Sequence, residues 1–100
     1  MKEDLLKIIE HFGINNQQRK LQEEVFELQE AILKYENAKV FFGKDSTLGI
    51  EHIIEEIADC LILLDQFKLY YEIKTSQITD ICEDKIKRTL KRIETGYYEK

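Results

Sequence analysis

Residues 55–67 read EEIADCLILLDQF. From Ile57 to Leu64 every side chain is apolar except that of Asp59. At about 100° per residue these side chains go nearly all the way round a helix. A helix apolar on all sides is one that is buried on most of them. Asp59 is therefore expected in a partly buried setting, where an unpaired carboxylate is costly and tends to become neutral. Its natural partners are a basic side chain of a neighbouring helix or a metal ion, and the spacing leaves both open. Asp65 follows the same stretch but is succeeded by Gln66 and Lys68, and it takes no role.

Working outward, the rest of the chain has the same helical character. It has 100 residues, no proline and four glycines, with abundant Glu, Lys, Leu and Ile. A first helix is expected from Lys2 to Phe12, with Leu5, Ile8, Ile9 and Phe12 on one face and Gly13 as its stop. A second is expected to begin after Asn15 or Asn16, both good N-caps. It carries Leu21, Val25, Leu28, Ile32 and Tyr35 at alternating three-and-four spacing and ends near Asn37. FFGKDST, residues 41–47, reads as a loop. The third helix starts near Ser46 or Thr47 and runs to about Tyr71. Thr75 or Ser76 caps a fourth, whose apolar face is Ile78, Cys82, Ile86, Thr89, Leu90 and Ile93, and Gly96 ends it. The expected fold is all-α, a four-helix bundle of antiparallel helices forming a single domain over residues 1–100. A chain this short buries a modest fraction of its surface and gains by oligomerising.

The net charge of −5 argues against general nucleic-acid binding, which rests on neutralising phosphates. No helix-turn-helix pattern is recognisable. The longest apolar run falls far short of the ~20 residues that span a bilayer, so no membrane partner is expected. Cys60 and Cys82 each lie among apolar residues, without metal-type spacing, and read as buried free thiols. With no basic-then-apolar leader pattern at the start, the expected location is cytoplasmic.

The acidic excess is sorted into two segments. Glu23, Glu24, Glu27 and Glu30 lie in one, and Glu51, Glu55, Glu56 and Asp59 in the other. On the second helix Glu24 borders the apolar stripe and Glu27 lies beyond it on the same side, while Glu23 points away. Glu24 and Glu27, three apart, are neighbours on one flank. Glu56 and Asp59 share a flank of the third helix in the same way, with His52 and Leu63 near them. Each pair alone is common as solvated charge. If the two helices pack antiparallel, however, four carboxylates converge and require positive charge. All-oxygen ligation selects a hard cation, Mg2+ or Mn2+, and Mg2+ prefers to share its shell with substrate phosphates. The basic residues gather late, in KIKRTLKR from Lys85 to Arg92, with Lys85, Arg88 and Arg92 on one flank. That flank reads either as a solvated face favourable to the helix dipole or as a phosphate contact. Lys20, one turn before Glu24, either pairs with it or meets phosphate.

EEVFE, residues 23–27, followed by EIAD, residues 56–59, resembles the EExxE…ExxD signature of the MazG-like all-α nucleoside triphosphate pyrophosphohydrolases. EEIADCLILL is similar to the second-motif helix of that superfamily. KIKRTLKRIETGYY resembles the ending of its short, single-domain members. The likeness spans about Gln17 to Tyr98. It implies a four-helix bundle assembling as a homodimer or homotetramer. It also implies hydrolysis of nucleoside triphosphates between the α and β phosphates, giving a monophosphate and pyrophosphate in nucleotide-pool housecleaning. The resemblance gives Glu24, Glu27, Glu56 and Asp59 as the Mg2+ ligands, with Glu23 in a supporting or water-activating role and Lys85 and Arg88 on phosphates. The ion would activate water and stabilise the charge on the transferred group. The competing expectation is a non-catalytic helical bundle that binds a metal or a partner. The base contact stays open among Phe12, Phe26, Phe41, Phe42, Tyr70, Tyr71, Tyr97 and Tyr98, which either stack on a base or fill core and interface.

Overall fold

The computed structural model of the chain describes residues 1–42 and 47–99, with side chains described for 1–39 and 49–99. The described residues form four helices and no strand: α1 (Lys2–Phe12), α2 (Ile14–Phe42), α3 (Thr47–Tyr70) and α4 (Thr75–Glu94). The expected all-α class and the number of helices are met. The expected turn formers Gly43, Asp45 and Ser46 lie outside the described residues. No described helix is long and apolar enough to cross a membrane. The chain divides into two compact units, Met1–Tyr70 with α1–α3 and Tyr71–Lys100 with α4.

In the first unit a single residue separates α1 from α2. Gly13 has φ 84° and ψ 153°, a backbone region open essentially to glycine alone. Its N–H donates to the Ile9 carbonyl at 2.8 Å and its carbonyl accepts from Gln17 N at 3.1 Å, so one glycine closes α1 and opens α2. This corrects the expected start of α2. Asn15 and Asn16 lie inside the helix, and Asn16 Nδ2 donates back to the Phe12 carbonyl at 2.7 Å. The helix also continues past Asn37 to Phe42, which takes Phe41 and Phe42 out of the expected loop.

α2 and α3 pack antiparallel, and their register can be read from three contacts. Gln17 bonds Gln66, Glu27 meets Glu56, and Tyr35 lies against Gly49. The inward positions follow a three-and-four alternation on both helices. On α2 they are Gln17, Leu21, Glu24, Leu28, Ala31 and Tyr35, and on α3 Gly49, Ile53, Glu56, Cys60, Leu63 and Phe67. That is the 3.5-residue period of a coiled-coil seam. Ile9 of α1 adds a further buried apolar side chain.

The seam differs from expectation in one respect that matters for the site. Val25 and Ile32, expected at the centre of the inward stripe of α2, are 49% and 43% exposed, whereas Glu24 is 5% exposed. α2 is turned so that its polar flank faces α3. α3 is not covered all round either: Ile57, Leu61, Ile62 and Leu64 are exposed. Asp59 is exposed too, which corrects its expected partial burial.

The second unit holds α4. Lys74, not Thr75 or Ser76, is the N-cap, and its N–H donates to Gln77 Oε1 at 2.8 Å. At the other end Gly96, φ 72°, donates to the Ile93 carbonyl and Tyr97 N donates to the Arg92 carbonyl. This paired arrangement is the Schellman close expected of a glycine after a helix. α4 carries no buried residue, and Cys82 is exposed, contrary to its expected burial.

Candidate functional site

The α2–α3 register brings Glu24, Glu27 and Glu56 together, with one carboxylate oxygen of each within 4.8 Å of the others. The two buried members share a pattern. Glu24 Oε1 accepts from Lys20 Nζ at 3.0 Å, one turn earlier on α2. Glu56 Oε1 lies 3.9 Å from His52 Nε2, one turn earlier on α3. The second oxygen of each, Glu24 Oε2 and Glu56 Oε2, is buried with no hydrogen-bond partner among the described residues. A buried carboxylate oxygen without a partner carries its full desolvation cost.

The proton affinities reflect this. The hydrogen bond from Lys20 holds the Glu24 carboxyl below the usual range, against the opposing effect of its burial. Glu24's charge in turn pushes Glu27 up. Burial, followed by the charges of Glu27 and Glu24, pushes Glu56 up. The buried Cys60 thiol is likewise raised, first by burial and then by the charges of Glu24, Glu56, Asp59 and Glu27. One lysine therefore serves one acid well, while two others retain negative charge at an energetic cost. A hard divalent cation fits this donor set, since all three residues offer carboxylate oxygens and two of the carboxylates carry an unsatisfied oxygen.

The remaining sequence-predicted residues lie outside this trio. Asp59 is outside the three-carboxylate group but lines a cavity of about 160 Å3 with Glu24 and Lys20. Its charge is among those that raise Glu56. Glu23 is exposed, 3.8 Å from Lys20 Nζ. Lys85 and Arg88 lie on α4 in the second unit and are exposed there. Lys85 borders a shallow hollow with Ile86, Thr89 and Leu90. Arg92, on the same flank, stacks over the Tyr97 ring at 4.5 Å.

Two residues escape a reading based on carboxylates. Gln17 and Gln66 are buried and bonded across the seam, Nε2 to Oε1 at 2.8 Å. The signal was present: each lies seven residues from an acid of the site, Glu24 on α2 and Asp59 on α3, and so on the same helical face. No family model, curated protein or solved structure matches the chain.

Proposed function

We propose that the chain is a Mg2+-dependent nucleoside triphosphate pyrophosphohydrolase of the MazG-like kind, cleaving between the α and β phosphates. The observation that carries this reading is the pair of buried, unpartnered oxygens, Glu24 Oε2 and Glu56 Oε2, in a three-carboxylate cluster. These acids, with Glu27, occupy positions of the EExxE…ExxD pattern that the sequence resembles. Glu24, Glu27 and Glu56 would hold Mg2+ or Mn2+, with Asp59 completing the set from the adjoining cavity wall. The bound ion supplies positive charge to the phosphate oxygens and makes water a better nucleophile. Lys20 neutralises Glu24 while the site is metal-free. Once a cation takes over that task, its ammonium is available to a phosphate in the cavity it lines. Glu23, exposed beside Lys20, is left to support the attacking water. Lys85 and Arg88 are assigned to phosphate contact on the resemblance.

The active form would be a homodimer or homotetramer, and the support is the set of large apolar side chains that the chain leaves exposed. Val25, Phe26, Ile32 and Leu33 on α2, with Ile54 and Leu61 on α3, are between 43% and 63% exposed. The second reading, a bundle that binds metal without turnover, is favoured by one observation, the exposure of Asp59 outside the three-carboxylate group.

The test is a screen of nucleoside triphosphates with Mg2+ or Mn2+, reading monophosphate and pyrophosphate. Both products should appear together, and Glu56→Gln and Asp59→Asn should abolish them. A correctly folded, fully active Asp59→Asn protein would sink the proposal. Metal binding without any product would favour the second reading.

A further inference from the structure

Gln66 is 1% exposed, the most buried side chain described, and Gln17 is 6% exposed. Packing does not require them. Two apolar side chains of the same shape at a buried hydrogen-bonded pair are close to neutral in stability, whereas one orphaned partner is costly. The pair lies on the same face as the acids, two turns or about 10 Å along from Glu24. Gln17 and Gln66 line the same cavity as Glu24 and Asp59, and Ile62 and Leu63 form its apolar walls. Gln17 and Lys20 also border a second hollow of about 460 Å3, which reaches Phe12, Asn16 and Arg19. A cleft thus runs from an acidic end, past a lysine, to two neutral amides between aliphatic walls.

We infer that the Gln17–Gln66 pair reads the base of a nucleotide whose phosphates lie at the acidic end, an inference that rests on the nucleotide reading above. The mutual bond uses one donor and one acceptor, leaving a carbonyl oxygen on one amide and an N–H2 group on the other. A base edge carries adjacent donors and acceptors that such a pair complements. A half-turn of both amides exchanges the two roles, so the pair engages one edge at a time. Ile62 and Leu63 supply the apolar surface that a flat ring needs on its face. The sugar and the α phosphate span the distance between amides and carboxylates, with Lys20 at the acidic end beside Glu24. Both amides are uncharged at any ordinary pH, so base binding is independent of pH where metal binding is not. A site that hydrogen-bonds a ligand edge discriminates strongly against ligands lacking the complement, because its own polar groups are then left unpaired.

The experiment is calorimetric titration, with Mg2+ present, of the non-hydrolysable α,β-imido analogues of ATP, GTP, CTP and UTP, and of inorganic tripolyphosphate, which has no base. The expected result for the native chain is that at least one nucleotide binds more tightly than tripolyphosphate. The double variant Gln17→Leu with Gln66→Leu, which orphans neither amide, should weaken that nucleotide about tenfold to a hundredfold. Tripolyphosphate affinity and the melting temperature should be retained. Ile62→Asn, which removes apolar surface at the exposed cavity wall without adding charge, should give the same selective loss if the double variant does not fold. Equal binding of tripolyphosphate and every nucleotide by the native chain overturns the base-reading role and leaves the phosphate and metal reading standing. Retained base preference in the variants, or equal loss of nucleotide and tripolyphosphate, also overturns it. Binding of neither ligand class by the native chain overturns both readings.

Discussion

Gly49 tests the register on which the acidic site depends. It lies inside α3, where alanine is ordinarily better than glycine by about 1 kcal/mol. Here a Cβ would sit 2.7 Å from Tyr35 Cδ2 and 3.4 Å from Cε2 of the same ring. Ordinary contact begins near the longer of those distances, so the ring must retreat by about 0.7 Å. Tyr35 is half-buried in the α2–α3 seam and its Cδ2 is not the free end of a flexible chain. Overpacking of this size costs about 1–3 kcal/mol, which outweighs the propensity gain. Gly49→Ala should therefore destabilise by about 0–2 kcal/mol, with a fall of several degrees in Tm for a chain of this size. In a Tyr35→Ala background the clash is gone, and the same substitution should stabilise by about 1 kcal/mol. The double-mutant cycle, measured by urea unfolding, should give a coupling of about 1–3 kcal/mol. Because Tyr35 lies eight residues, or about 12 Å, along α2 from Glu27, splaying of this end should also weaken the response of Tm to Mg2+. Equal stabilisation by Gly49→Ala in both backgrounds would refute the close approach and the register built on it.

Mg2+ or Mn2+ should raise Tm in a concentration-dependent way, and Glu24→Gln or Glu56→Gln should abolish the shift; a native-sized shift in Glu56→Gln would remove that residue from the site. Without divalent metal, the raised proton affinities of Glu27 and Glu56 mean that the folded chain binds more protons than the unfolded one above pH 4.5. Stability should then fall as pH rises from 4.5 towards 7, less steeply in Glu27→Gln with Glu56→Gln, and Mg2+ should flatten the slope in the native chain. The lowered Glu24 carboxyl acts in the opposite sense, its stabilisation being lost as pH falls below 4.5. Gly13→Ala should destabilise by about 1–3 kcal/mol in a denaturant melt although no atom lies within 4 Å of the added Cβ, because its φ and ψ suit glycine alone. Sedimentation equilibrium should show self-association strengthened by Mg2+, and association indifferent to Mg2+ would separate assembly from the metal site.

The ends of α1 and α4 were legible because each is closed by a glycine. Gly13 and Gly96 mark the ends of α1 and α4 as read from sequence, both with positive φ. The start of α2 was not, because two asparagines in a row resemble N-caps whereas the structure uses the carbonyl of Gly13 instead. The acidic cluster was legible from the spacing of Glu24, Glu27 and Glu56, since three-apart residues on antiparallel helices converge. The setting of Asp59 was misread for a definite reason. An apolar run records what a helix needs to have covered, not which chain does the covering. Ile57, Leu61 and Ile62 stay exposed around it. The rotation of α2 escaped for the same reason, since Val25 and Ile32 are as apolar as any inward pair. Gln17 and Gln66 carry no charge and no motif, and only their heptad distance from the acids ties them to the site.

α2 has two flanks from which to choose, and it buries the polar one. Turning Val25 and Ile32 towards α3 would put aliphatic carbon in the seam, each side chain contributing about 1.5–3 kcal/mol on full burial. Instead the seam encloses two glutamates, each with an oxygen that no described donor reaches. Taken by itself, the single chain leaves Val25 and Ile32 exposed and two buried carboxylate oxygens unsatisfied. The choice becomes favourable only if both omissions are made good, the charge by a cation between the helices and the apolar flank by surface from outside the chain. These two compensations are not independent. Covering Ile57 and Ile62 beside Glu56 and Asp59 would lower the local dielectric, which strengthens the attraction of the carboxylates for a cation and increases the cost of their being without one. Linkage then runs both ways, so the factor by which covering tightens cation binding is the factor by which the cation favours the covered form. On the proposed function, the rotation of α2, which leaves Val25 and Ile32 exposed, would couple assembly of the protein to the filling of its site.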